Sequence, residues 1–173
     1  MKHEPSLQES RVLRVARVMP KDRFVASHTH CFLVLEPRAV NDDLGYDTAF
    51  VVGAAEGLEV SVPPSRELNV VELVKSRSNP FADRISIGRA SNCDVVLGDS
   101  SVSKLHAHVR ESNGELVLTD VGSQNGTLVN GDRLQQHVPM PIKPGDRVQF
   151  GTVCARVADA ATVHDLVHVT RTS

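Results

Sequence analysis

The chain has 173 residues, a formal net charge of −2 and a hydrophobic content of 40%. That length fits one domain of roughly 100–200 residues, alone or with an appendage, and the apolar fraction excludes a wholly disordered chain. The longest apolar run, Ala49 to Ala55, is too short to span a bilayer, and the balanced charge lacks the basic excess that direct nucleic-acid binding leaves.

Aromatic residues make up only 3%, whereas there are 27 Val, a β-branched composition that favours strands. Cys31, Cys93 and Cys154 are an odd number with no C-x-x-C pair, and Met1 to Ser10 carries no apolar signal core. Both features predict a reducing, cytoplasmic setting, with neither a disulfide framework nor a membrane partner.

In chain order, Val12, Val15, Val18 and Met19 predict a weak helix over Ser10–Met19, stopped by Pro20. Cys31–Leu35 is a short apolar run, Asn41–Asp47 is turn-like, and Ala49–Val52 and Leu58–Val62 read as short strands. Pro63-Pro64-Ser65 is the best internal boundary, because neither a helix nor a central strand accepts it. Val70–Val74 predicts a strand, followed by a loop over Ser76–Asp83 that contains Asn79-Pro80. Arg84–Gly88 alternates, with Ile85 and Ile87 on one face, and Asp94–Leu97 is short and apolar. Leu105, Ala107 and Val109 alternate with His106, His108 and Arg110. Glu115–Val121, Thr127–Val129, Arg147–Phe150 and Val153–Val157 follow, separated by Asn125-Gly126, Asn130-Gly131 and Pro144-Gly145 and preceded by Asn113-Gly114. Many short strands with such punctuation predict an antiparallel sandwich or barrel. Val163, Leu166 and Val167 predict a closing helix over Ala160–Val169.

Within the β-rich part, local features recur in a definite order. They run Ile87-Gly88-Arg89, Cys93 to Leu97, Val102-Ser103-Lys104-Leu105-His106-Ala107, Leu118 to Thr127, Val129-Asn130-Gly131, and Pro144-Gly145-Asp146 to Phe150-Gly151. Each piece alone is weak. Their order and spacing resemble the forkhead-associated (FHA) domain over about half the chain, Val70 to Ala158. The resemblance implies an all-β fold, an FHA-type antiparallel β-sandwich of about eleven strands. The expected organisation is an N-terminal extension of mixed structure over residues 1–65, the FHA domain over 66–158, and a short C-terminal helix and tail over 159–173. The implied function is that of a non-catalytic phosphothreonine-peptide binding module, a signalling adaptor with no cofactor and no metal. The implied partner is a phosphothreonine-containing protein, such as a Ser/Thr kinase or its substrate.

The residue chemistry agrees with that resemblance. A phosphate carries close to two negative charges and three acceptor oxygens. Arg89 offers a guanidinium fork that grips two oxygens and does not deprotonate, and Gly88 lets the backbone leave the strand. Alone, Arg89 reads as a solvated surface residue; its place in the pattern reverses that. By resemblance Ser103 donates its hydroxyl to phosphate, Lys104 adds a second positive charge, and Asn125 holds the peptide backbone. An amide that donates and accepts suits an extended peptide. Gln124 stands where a Thr, Ser or Lys is frequent in the family and offers a donor without charge. Ser101 matches a position that reads the third residue after the phosphothreonine, and as Ser it predicts no preference. The loop Ala90-Ser91-Asn92 is expected to add a phosphate or backbone contact.

His106 is expected to be architectural rather than a base, with His108 exposed on the same strand. Gly126 and Thr127 are expected near the threonine methyl. Asn130-Gly131 reads as a type I′ hairpin turn, with Gly88, His106, Gly126 and Asn130 shaping the loops.

Three other readings compete. Gly98-Asp99-Ser100 with Asp165-Leu166-Val167-His168 resembles the nucleophile and D-x-x-H blocks of GDS-type serine hydrolases. The surrounding strands and hairpin turns do not fit that alternating architecture. His28-Thr29-His30-Cys31 offers potential metal ligands, with no second cluster at structural zinc spacing. An FHA fold used as a phosphate-independent scaffold is opposed by the intact Arg89, Ser103 and Asn125.

Overall fold

Pro20 separates two short helices at the start of the computed structural model, which describes residues 11–37, 68–77, 79–112 and 114–169. The first, α1 (Arg11–Val18), buries Val12, Leu13 and Ala16 and turns Arg11, Arg14 and Arg17 outward. The second, α2 (Lys21–Ser27), leaves no sequence signature because it buries a single residue, Phe24. The readings at Ala49–Val52, Leu58–Val62 and Pro63-Pro64-Ser65 lie outside the described residues.

Among the described residues eleven strands form two sheets. They are β1 (Phe32–Leu35), β2 (Asn69–Glu72), β3 (Ile85–Gly88), β4 (Val95–Val96), β5 (Ala107–Ser112), β6 (Glu115–Asp120), β7 (Thr127–Val129), β8 (Asp132–Arg133), β9 (Met140–Ile142), β10 (Arg147–Phe150) and β11 (Val153–Ala158). One sheet has the order β2-β1-β11-β10-β7-β8 and the other β4-β3-β5-β6-β9. All pairings are antiparallel except β3 with β4, which is parallel with Ile87 opposite Val95. The predicted β-sandwich is therefore present, with one parallel pair at its edge. The strands without an individual signature are β8, two exposed residues, and β9, an edge strand that tolerates Pro141.

The sandwich core is aliphatic: Ile87, Val95, Val102, Val109, Leu118, Val148 and Val157 are buried between the sheets with Phe150. A second core lies on the outer face of the six-stranded sheet. There Phe24 and Leu13 from the first two helices meet Phe32, Val34 and Val70 from the sheet and Val163 and Val167 from α3 (Ala160–Val169). The molecule thus has three layers: helices, sheet, sheet.

This layering explains the unbroken apolar run at Cys31–Leu35. In β1, Phe32 and Val34 face the helices while Leu33 faces the sandwich, so both faces are buried and no polar alternation arises. That strand pairs with β11 on one side and β2 on the other, placing Leu33 opposite Val157 and Val71. The expected boundary near residue 65 falls between two strands of the same sheet. Asp159 caps α3 by accepting from the Thr162 N–H at 2.8 Å, and the buried Val163 and Val167 fix its inner face.

One alternation fails. Leu105 does not share the buried side of Ala107 and Val109 but is exposed, and His106 is fully buried. The strand begins only at Ala107, so the period of two does not extend back into the preceding loop. His108 is half-buried rather than exposed; burial, followed by Arg84 and Arg110, pushes its pKa down. Among the described residues no helix is long and apolar enough to cross a membrane.

Candidate functional site

The loops after β3, before β5, between β6 and β7, and between β10 and β11 are tied together at one end of the sandwich. Gly88 opens the first. A Cβ there would lie 2.2 Å from the Lys104 carbonyl oxygen, so the reason for glycine is close backbone approach. That approach lets Arg89 N–H donate to Ser103 O at 2.9 Å and Ala90 N–H to Lys104 O at 3.0 Å. Arg89 and Lys104 thereby leave adjacent backbone positions, and both side chains are exposed. Arg89 Nε donates to the Val102 carbonyl at 3.2 Å, which aims the guanidinium while its terminal nitrogens take no partner among the described residues. Cys93 N–H donates to Ala90 O at 3.0 Å and closes the turn carrying the exposed Ser91 and Asn92.

Ser103 joins two loops. Its Oγ accepts from the Gln124 N–H at 3.0 Å, and its own N–H donates to His106 Nδ1 at 3.0 Å. A hydroxyl whose oxygen accepts this bond keeps its proton for another acceptor. His106 Nε2 stands 3.0 Å from the Gly126 carbonyl. A backbone N–H only donates and a carbonyl only accepts, so the proton sits on Nε2 and the ring is neutral. Burial pushes the His106 pKa down, and Phe150 packs against its ring edge-on at 5.7 Å. His106 thus bridges the Ser103 loop and the Gly126 loop.

The loop that carries Gln124 and Asn125 is wound around a carboxylate the sequence reading passed over. Asp120 is fully buried. It accepts from Gly122 N–H at 2.9 Å, Ser123 N–H at 2.8 Å, and the Ser123 and Thr127 hydroxyls at 2.6 Å each. Burial alone raises its pKa, but these donors outweigh burial and hold it below the usual carboxylate range. The signal was present in Asp120-Val121-Gly122-Ser123, a side-chain-capped turn sequence. Thr127 is fully buried with its hydroxyl committed to Asp120, which makes it a scaffold residue instead of the expected methyl contact.

Asn125-Gly126 and Asn130-Gly131 prove to be different structures. Asn130 and Gly131 have φ of 52° and 93°, as a type I′ turn requires, whereas only Gly126 of the first pair is left-handed. Asn125 is exposed, and its Nδ2 donates to the Ser101 carbonyl at 2.7 Å. Asn130 shapes the other end of β7, where its amide bonds Asp146 and Arg147 N–H. Ser101 is the hub of the Asn125 side. Its Oγ lies 2.7 Å from Asp99 Oδ1, 2.8 Å from Thr152 Oγ1, and accepts from Thr152 N–H. That side chain is consumed internally, so it positions the loops instead of reading a ligand.

These bonds bring Arg89, Ser103, Lys104, Gln124 and Asn125 together at one end of the sandwich, with Arg89, Lys104, Gln124 and Asn125 exposed and the half-buried Ser103 hydroxyl left a proton to donate. The hydrolase blocks do not assemble. Asp99 serves Ser101, Asp165 pairs with Lys21 at 2.7 Å, and His168 Nδ1 donates to the His164 carbonyl. His28 and His30 turn their Nε2 atoms toward Glu72 Oε1 at 3.7 and 3.2 Å, and Cys31 packs against the sandwich core.

Comparison with known proteins places this face in a family. The model of the FHA domain matches residues 85–151. A glycogen accumulation regulator of Mycolicibacterium smegmatis is 36% identical over 102 residues, covering 57% of this chain and 62% of its own length. An oxoglutarate dehydrogenase inhibitor of Corynebacterium diphtheriae is 35% identical over 100 residues, covering 56% of this chain and 68% of its own. The N-terminal FHA domain of S. cerevisiae Rad53p, solved with a phosphothreonine peptide, is similar in fold. Its TM-score is 0.50 at 16% identity, over 79% of this chain and 98% of that one. The chain thus spans 62% of the length of the first of these relatives. With the two-sheet sandwich and its loop face on one side and these matches on the other, the chain belongs to the FHA domain family.

Proposed function

We propose that this chain is a non-catalytic phosphothreonine-peptide binding module, acting in the cytoplasm as a regulator downstream of Ser/Thr kinases. The observation that carries the reading is the outward set of Arg89 guanidinium, Lys104 ammonium and Ser103 hydroxyl, held on one face by the Ser103–Gln124 and Asn125–Ser101 bonds. A dianionic phosphate meets two charges and a donor there, and these supply charge-assisted bonds stronger than neutral ones. Gln124 adds an uncharged donor at the rim. Asn125 Oδ1 remains to accept a peptide N–H, its Nδ2 being held by Ser101.

Two similar proteins are named for regulation, of glycogen accumulation and of oxoglutarate dehydrogenase, and their names support a regulatory role. The partner is a phosphothreonine protein, a Ser/Thr kinase or its substrate. The free thiols of Cys31, Cys93 and Cys154 suit a reducing compartment. Titration with a degenerate phosphothreonine peptide library and its unphosphorylated twin tests the reading. Selective binding of the phosphorylated set is expected, and equal binding of both supports the phosphate-independent scaffold instead.

A further inference from the structure

Arg133 is a cation at the edge of this face to which no role has been given. It lies on β8, the edge strand of the six-stranded sheet, in register with Leu128. The neighbouring Leu134 N–H donates to Thr127 O at 2.9 Å, which fixes the strand against the start of β7. From there the Arg133 side chain reaches back over Gly126. A Cβ on Gly126 would meet its Cζ and Nη2 at 2.5 Å and its Nε at 2.9 Å. The guanidinium therefore rests on the backbone of the residue next to Asn125.

Its surroundings differ from those of four other arginines of the sandwich. Arg84 and Arg110 pair with Asp83, and Arg147 and Arg156 face Glu36. Arg133 is exposed and has no carboxylate and no hydrogen-bond acceptor among the described residues. A guanidinium with its planar fork unused, laid on glycine backbone beside a peptide-holding amide, is a receptor for a carboxylate.

We infer that Arg133 is a specificity-determining residue: it reads an acidic side chain, Asp or Glu, flanking the phosphothreonine on the Asn125 side of the face. The inference rests on the phosphothreonine reading above. It assigns Arg133 no part in gripping the phosphate, which Arg89, Ser103 and Lys104 face, and it makes the chain prefer acidic phosphopeptides although its net charge is −2.

The test uses the full chain and single-phosphothreonine peptides in which each flanking position is changed in turn to Asp, Glu, Ala or Lys. The wild type is expected to favour Asp or Glu over Ala at one flanking position by about two- to fivefold, the range of an exposed ion pair. Arg133→Gln is expected to lose that preference while its affinity for the peptide with Ala at that position stays within about twofold. Arg133→Glu is expected to prefer Lys there. A thermal midpoint equal to that of the wild type shows both variants folded, as replacement of an exposed side chain predicts. The inference is overturned if no acidic preference exists, if Arg133→Gln retains it, or if Arg133→Gln weakens the Ala peptide as much as the acidic one. A wild type that ignores phosphorylation overturns the underlying reading and the inference with it, and is told apart by the unphosphorylated twins.

Discussion

At the scale of single residues, the face divides into side chains proposed to meet the phosphopeptide and side chains that hold them. Arg89 is exposed and, among the described residues, its side chain bonds the protein only through Nε, so Arg89→Ala should spare the fold. A lost charge-assisted contact is worth about 1.5–3 kcal/mol, which predicts an affinity loss of tenfold or more, read by calorimetric titration with an unchanged melting midpoint. His106 should behave in the opposite way. It is buried between two loops, and His106→Gln should cost about 1–3 kcal/mol of stability by unmaking its bonds to Ser103 and Gly126. Its pH signature follows from its lowered pKa. Below the unfolded value of 6.5 the unfolded chain binds a proton that the folded ring refuses. Its contribution is therefore complete above that value and is lost as pH falls below it. His108, also shifted down, adds a term of the same sign. Thermal melts from about pH 7.5 to about pH 5.5 should show a falling midpoint, and a smaller fall in His106→Gln.

At the scale of elements, two carboxylates staple the loops to the sheets. Asp120 winds the loop of Gln124 and Asn125. Asp94 accepts from Ser76 N–H and Ser86 N–H at 2.6 Å, the Ser86 hydroxyl at 2.9 Å and the Asn79 amide. Burial opposes ionisation of Asp94, but those donors win and bring its pKa down to about 2. Its support is present above the unfolded value of 3.8 and is lost as pH falls from there toward about 2. Asp120→Asn leaves hydroxyl and N–H donors short of acceptors, and a loss of about 1–3 kcal/mol in denaturant titration, with weakened phosphopeptide binding, is expected. These staples show which parts of the sequence were readable. Strands bounded by Gly, Pro and Asn turns were legible, because alternation and turn chemistry are local. The set proposed to meet the ligand was read from Gly88-Arg89, Ser103 and Asn125 in order. The fully buried His106, the internal commitment of Ser101 and Thr127, and the reach of Arg133 over Gly126 were not, because each depends on how the loops fold back on one another, which strand alternation does not encode.

At the scale of the whole molecule, the recognition face belongs to a three-layer body. Beyond Phe150 in the sandwich core, the buried Phe side chains among the described residues lie in the helix layer, where Phe24 and Phe32 are fully buried and Phe24 stacks on His28 at 4.2 Å. The leading segment contributes β1 to the middle of a sheet, so the module is proposed to need it. A fragment of residues 66–158 lacks the strand between β2 and β11 and bares Val70, Val71 and Val157. It should fail to give the cooperative melt expected of the full chain. Phe32→Ala, which empties a fully buried site, should cost about 3–5 kcal/mol in denaturant titration and leave the binding residues untouched.

The most direct test of the account is a calorimetric titration of the full chain with one phosphothreonine peptide selected from the library and with its unphosphorylated twin. It is done for the wild type and for Arg89→Ala. The account predicts that the wild type binds only the phosphorylated peptide measurably and that Arg89→Ala binds it at least tenfold more weakly with its fold intact. Equal binding of both peptides by the wild type, or undiminished phosphopeptide binding by Arg89→Ala, contradicts it.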